Sequence, residues 1–163
     1  MTESLEIIKT TEPEQHDLIQ ICDLWNQEYP EKISHNSLSE FENYLKHLTN
    51  LTHYLLKNDT NLILGWALTF EREQEKWFVI ILSEKIKGQG WGRKMLNELK
   101  KDTPILNGWV IDHDNDRKKN GDSYLSPLKF YEKCNFETLH DIRLELDKIS
   151  AVKIKWVNKN YEA

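Results

Sequence analysis

A mixed α/β domain built on one central sheet is the fold this sequence predicts. Three observations carry that expectation: β-patterned runs alternate with segments of helical period, a glycine turn sits between an apolar run and a helix, and no linker, repeat or low-complexity tract interrupts the chain. The expected order is β-α-α-β-β-β-α-β-α-β-β, a mixed sheet of six to seven strands flanked by about four helices. At 163 residues the chain has the size of a single domain, 1–163, that can bury a continuous core without metal or disulfide staples.

Residues 5–9 are a short apolar run and predict the first strand. Thr11-Glu12-Pro13-Glu14 follows with capping-box spacing and a proline suited to a first helical turn, so a helix is expected to open there. Leu18, Ile21, Cys22 and Trp25 recur at helical spacing, and Ser37-Leu38-Ser39-Glu40 opens a second helix with Phe41, Tyr44, Leu45 and Leu48 along one side. The period then changes. Residues 52–57 and 62–70 are rich in β-formers and flank the turn cluster Asn58-Asp59-Thr60-Asn61, which reads as a hairpin. Residues 77–82 are almost wholly apolar, as in a strand covered on both faces, and are expected at the centre of the sheet. Beyond the glycines, Trp91, Met95, Leu96 and Leu99 mark a helix, and residues 105–112 read as the next strand. A polar stretch over 113–123 precedes a short helix from Pro127 to Cys134, then strands over 136–146 and 151–157.

Composition excludes several classes of function. With 27 acidic against 22 basic residues and a net charge of −5, no broad basic surface is available to neutralise nucleic acid. Cys22 and Cys134 are far apart and lack C-x-x-C spacing, which argues against a zinc site or a disulfide framework and for a reducing, cytoplasmic setting. Neither a signal peptide nor a membrane-length apolar run is present in the sequence. The cluster from Asp112 to Asp116 reads as a solvated turn rather than a metal site, since consecutive polar residues in one loop rarely converge on an ion.

The glycine turn, Lys87-Gly88-Gln89-Gly90-Trp91-Gly92, carries the functional signal. Three glycines in five positions let a backbone approach a ligand closely, and the free amides of the following helix point at whatever lies there. An anion suits that place, a diphosphate best, with Lys87, Arg93 and Lys94 adding positive charge. The same residues would also serve a turn that merely needs positive φ. No Gly-Lys-Ser or Gly-Lys-Thr follows at P-loop spacing, and a dinucleotide fingerprint would need glycine where Arg93 stands, although Asp112 lies about 20 residues on. That fold normally opens its sheet with the glycine turn, whereas here a hairpin and two helices come first, so a nucleotide-binding module is the weaker alternative.

The turn resembles the signature of the GNAT superfamily of N-acetyltransferases: Gln or Arg, two variable residues, Gly, one variable residue, then Gly or Ala. Lys87 stands at the first position, keeping the charge but not the planar fork of arginine. Phe130-Tyr131-Glu132-Lys133-Cys134-Asn135-Phe136 resembles the family's Phe-Tyr-Glu-Lys-x-Gly-Phe segment, with Asn135, which tolerates left-handed backbone, at the glycine. The element order agrees over almost the whole chain, and the runs Leu64-Gly65-Trp66-Ala67, Trp77-Phe78 and residues 124–131 are similar to a bacterial subgroup without an assigned substrate.

The resemblance implies acetyl-CoA as cosubstrate, with no metal, and acetyl transfer to a primary amine by direct attack in a ternary complex. It places the pyrophosphate on the backbone of Lys87, Gly88, Gln89, Gly90, Trp91 and Gly92 and on Arg93, and the pantetheine arm beside Ile80, Ile81 and Leu82 as an added strand. A backbone amide near Leu82 would stabilise the carbonyl oxygen, and Tyr131 would act as general acid toward the departing thiolate. Tyr124 stands where many relatives carry an asparagine that contacts the coenzyme. No general base is marked: Lys76 replaces a strand glutamate, Glu75 points to the other face, and Glu71, Asp112, His113, a water chain or a substrate that binds already deprotonated remain. Cys134 has no histidine partner placed by the sequence, so direct transfer is favoured over an acyl-enzyme. The acceptor is expected to be a small-molecule or peptide amine and the protein a monomer or homodimer, without nucleic-acid or membrane partners. The missing base leaves a non-catalytic acyl-CoA-binding domain as the rival.

Overall fold

The computed structural model describes residues 4–160. Its elements are β1 (Leu5–Thr10), α1 (Gln15–Glu28), α2 (Leu38–Lys46), β2 (Thr49–Asn58), β3 (Ile63–Arg72), β4 (Glu75–Leu82), α3 (Trp91–Lys100), β5 (Ile105–Val110), α4 (Leu128–Lys133), β6 (Glu137–Leu146) and β7 (Ile149–Val157), with single 3-10 turns at Glu31–Ile33 and Glu84–Ile86. The expected order of seven strands and four helices is the one observed. Two details differ. Helix α1 begins after Glu14, whose N–H donates to the Asp17 carboxylate at 3.2 Å, so the capping pair lies three residues later than Thr11 and Glu14. Thr10 instead accepts the Glu12 N–H through its hydroxyl at 3.1 Å, which keeps residues 10–12 in a bend.

The strands lie in the order β1-β2-β3-β4-β5-β7-β6, with β4 at the centre as its apolar run foretold. All neighbours are antiparallel except β4 and β5, which run parallel and are joined by a single backbone pair, Trp77 with Asn107. The buried Asn107 side chain stitches that end shut, its Nδ2 donating to Glu75 Oε1 at 3.1 Å and to the Lys76 carbonyl at 3.2 Å. One residue further along, the Phe78 ring lies across Gly108, where a Cβ would come within 2.8 Å of it. From there toward Leu82 no further pair joins the two strands, which leaves a slot in the middle of the sheet.

Side chains of β4 alternate between two cores. Phe78, Ile80 and Leu82 face Met95, Leu96 and Leu99 of α3 and Tyr131 of α4. Trp77, Val79 and Ile81 face Ile21 and Trp25 of α1 and Phe41 of α2. Helix α4 ends at a left-handed Asn135 (φ +72°), as its place in the motif requires. Lys100 Nζ donates to the Cys134 carbonyl at 2.8 Å and satisfies that helix end.

Candidate functional site

The glycine turn meets the slot at the amino end of α3. Gly88 and Gly90 have φ of +79° and +86°, and a Cβ on either would meet nothing within 4 Å, so both face open space. Gly92 has the opposite reason for lacking a side chain, because a Cβ there would come within 2.8 Å of Phe130. Among the described residues, none of the backbone amides from Gly88 to Arg93 donates a hydrogen bond to the chain, and the first helical bond is Lys94 N–H to the Gly90 carbonyl at 3.2 Å. Six consecutive unengaged donors at a positive helix end fit an anion such as a pyrophosphate.

The charges around the turn are arranged differently from the expectation for Lys87. Its ammonium lies 3.0 Å from Glu84 and 3.7 Å from Glu28, so its charge is already engaged by two carboxylates. Arg93 is exposed and makes no ion pair among the described residues, and Lys94 lies 4.3 Å above the Trp91 ring centroid. Glu28 also accepts the Glu84 N–H at 3.0 Å, and the buried Lys118 ammonium stands 3.3 Å from both carboxylates. Burial opposes the Lys118 charge, but Glu28 and Glu84 outweigh it and raise its pKa. These four side chains tie the 113–124 loop to the turn, a contact spanning 90 residues that sequence spacing does not reveal.

Tyr131 is buried beside the point where β4 and β5 part. Its ring packs edge-on against Phe78 at 5.7 Å and Phe136 at 5.7 Å. Burial, and then the neighbouring Tyr124 and Cys134, push its phenol well above the ordinary value. Tyr29, at the end of α1, is raised by burial and then by the phenols of Tyr124, Tyr131 and Tyr44, and its ring meets Tyr124 edge-on at 6.2 Å. Tyr29, Tyr124 and Tyr131 thus lie close enough to raise one another's phenols, and among the described residues none of their hydroxyls is hydrogen-bonded. The importance of Tyr29 was not visible in the sequence, and Tyr124 makes an aromatic contact at the position of the expected asparagine.

The base candidates are mostly engaged elsewhere. Arg143 clasps Asp112 through two bonds of 2.8 and 3.0 Å and holds its carboxyl below the usual range. Glu75 accepts from Asn107 and from Lys155, the latter at 3.3 Å. Glu71 accepts from Asn50 at 2.8 Å and pairs with Lys76, six residues and about 20 Å along β4 from Leu82. His113 accepts the Asn115 N–H at Nδ1 (3.1 Å), with Nε2 3.8 Å from Asp116, whose other oxygen is 2.7 Å from Lys32. Cys134 lies in the core with 1% exposure. Two recesses of about 300 and 500 Å³ lie under the 113–124 loop and share Lys118 and Lys119; neither is lined by Tyr131 or the glycine turn. Among the described residues, no group of three or more metal-ligating side chains is assembled, and no helix is long and apolar enough to cross a membrane.

No family model matches the chain, and no curated protein matches its sequence. Solved structures do match it over nearly its full length. A provisionally assigned acetyltransferase from Acinetobacter baylyi is 13% identical, with a TM-score of 0.71 over 96% of this chain and 94% of that one. A provisionally assigned phosphinothricin N-acetyltransferase is 16% identical, with a TM-score of 0.70 over 94% and 98%. The spermidine/spermine N-acetyltransferase SpeG from Vibrio cholerae, solved with manganese ions, is 17% identical, with a TM-score of 0.63 over 96% and 94%. The parted central strands, the glycine turn and these neighbours agree, and the chain has the fold of the GNAT N-acetyltransferases.

Proposed function

We propose that this chain is an N-acetyltransferase that moves an acetyl group from acetyl-CoA to a primary amine by direct attack in a ternary complex. The observation that carries the reading is the adjacency of two features: six unengaged amides at Gly88 to Arg93, and a slot beside β4 closed at one end by a single strand pair. Acetyl-CoA supplies an activated thioester. The turn's amides and Arg93 receive the pyrophosphate charge, and the free edge of β4 at Ile80, Ile81 and Leu82 offers backbone groups to the pantetheine amides as a neighbouring strand would. As the acceptor nitrogen bonds to the carbonyl carbon and the carbon–sulfur bond breaks, the Tyr131 hydroxyl gives its proton to sulfur, and the nitrogen loses one to water. Its raised pKa keeps that proton in place at neutral pH. Two free, buried cysteines support a cytoplasmic setting.

The test is thiol release from acetyl-CoA across amines, amino acids, short peptides, polyamines and aminoglycosides, with the product identified by mass. Thiol and N-acetyl product are expected in equal amounts. Binding of acetyl-CoA without turnover on any amine would favour a non-catalytic acyl-CoA-binding domain, and absence of binding would remove the reading altogether.

A further inference from the structure

The face of the sheet opposite the coenzyme turn holds a second arrangement that the transfer chemistry does not use. Helix α1 lies over β3 and β4 with α2 beside it, leaving Trp109 of β5 and Lys153 of β7 half-buried. Register places these residues on one face across four strands: Phe70 pairs with Trp77 and Trp77 with Asn107, two residues from Trp109, which pairs with Lys153. The Trp77 and Trp109 rings stand 5.4 Å apart. Two cations converge on this pair: the Arg72 guanidinium 5.3 Å and the Lys153 ammonium 5.2 Å from the Trp77 ring centroid.

Neither cation is neutralised. Among the described residues, the Arg72 and Lys153 side chains make no ion pair and no hydrogen bond, whereas Glu75, which pairs with Arg72 across the strands, is engaged by Lys155 and Asn107. Arg72 also bears on Tyr44 of α2, whose phenol burial pushes up to about 12 against the pull of that guanidinium. The result is a basic strip, the exposed Arg72 and half-buried Lys153 covering the buried Trp77 ring beside a half-buried Trp109, in a protein whose net charge is −5. Cations held over aromatic rings without an anion are poised to accept one.

We infer that the acceptor amine carries a carboxylate, which Arg72 and Lys153 hold over the Trp77–Trp109 pair while the amine reaches the slot. The inference rests on the acetyltransferase reading. An acceptor must approach from this face, because the turn and α3 lie on the other. Along β4, Trp77 stands two residues from Val79 and four from Ile81, about 7 to 13 Å at the rise of a strand. That span separates the amine and carboxylate of a short peptide rather than those of a free α-amino acid. A polyamine would instead bring positive charge against Arg72 and Lys153.

The test compares triglycine with triglycinamide as acceptors in thiol release, on wild type and on Arg72→Gln/Lys153→Gln, with the two single variants in reserve should the double variant lose its melting transition. Triglycine is expected to have a KM about 10-fold or more below that of the amide. The double variant should raise it to the amide's level while leaving kcat and acetyl-CoA affinity unchanged. Equal KM values for the two peptides, or an unchanged KM in the variants, would overturn the inference. A second arm needs no turnover: N-acetyltriglycine titrated by calorimetry should bind wild type and not the double variant, with N-acetyltriglycinamide binding neither. If no acceptor is acetylated but this pattern holds, the transfer reading falls and the anion site stands; equal binding to both proteins removes the site.

Discussion

Removal of one oxygen atom separates the two roles open to Tyr131. Tyr131→Phe keeps the ring against Phe78 and Phe136 and takes away only the hydroxyl. With a carboxylated or simple amine as acceptor, kcat should fall by about 10² to 10⁴ while calorimetry returns an unchanged acetyl-CoA affinity. A rate equal to wild type under rate-limiting chemistry would leave water as the donor. The residue scale also holds a buried titration. His53 is 3% exposed and accepts the Trp66 indole N–H at Nδ1 (3.0 Å), and burial lowers its pKa to about 4 from an ordinary 6.5. The unfolded chain therefore binds the proton first, so this site costs nothing above pH 6.5 and destabilises progressively as pH falls toward 4. Urea denaturation should show His53→Gln, which preserves an acceptor for Trp66, losing roughly 2 kcal/mol less stability than wild type between pH 7 and 4.5. Tyr131 was legible because it sits in a contiguous motif. Tyr29, Arg72 and Lys153 were not, since each gains its meaning from residues far along the chain.

At the scale of elements, the glycine turn makes a sharper claim than any single side chain. Gly90 is left-handed with open space around it, so Gly90→Ala should cost about 1 kcal/mol of backbone strain and still bind acetyl-CoA. Gly90→Asp carries the same strain plus a negative charge at the anion cradle, and should lose the rise in melting temperature that acetyl-CoA gives the wild type and the alanine variant. Equal shifts in all three proteins would move the cradle elsewhere. The helices and most strands could be read from periodicity, because each buries one face or both. Their ends could not always be read. Between β3 and β4 the chain reverses through Glu73 and Gln74, both left-handed at φ of +54° and +68°, where glycine or asparagine would have signalled a two-residue turn. The start of β4 at Glu75, and with it the Glu75–Lys155 pair, stayed hidden for that reason.

For the molecule as a whole, strand order matters more than strand content. Sequence patterning supplied seven strands with β4 in the middle, but not the insertion of β7 between β5 and β6, because pairing of residues 105–110 with 152–157 is a long-range choice that no local pattern records. That choice brings Lys153 beside Trp109 and creates the basic strip. It also divides the sheet into β1 to β4, assembled from successive local hairpins and one return strand, and β5-β7-β6, closed over a long loop. The two halves share one backbone rung, Trp77 with Asn107. Without ligand, then, deuterium should enter the amides on the β5-facing edge of residues 79–82 and those of residues 108–110 that face β4 sooner than it enters β3, and acetyl-CoA should slow that entry selectively. Uniform exchange through β3 and β4, unaltered by the coenzyme, would contradict the slot. On the proposed function the single rung would make the cosubstrate a mechanical part of the protein: bound, it would bridge a break in the ladder, and because it departs after every turnover the seam would be remade and unmade once per catalytic cycle.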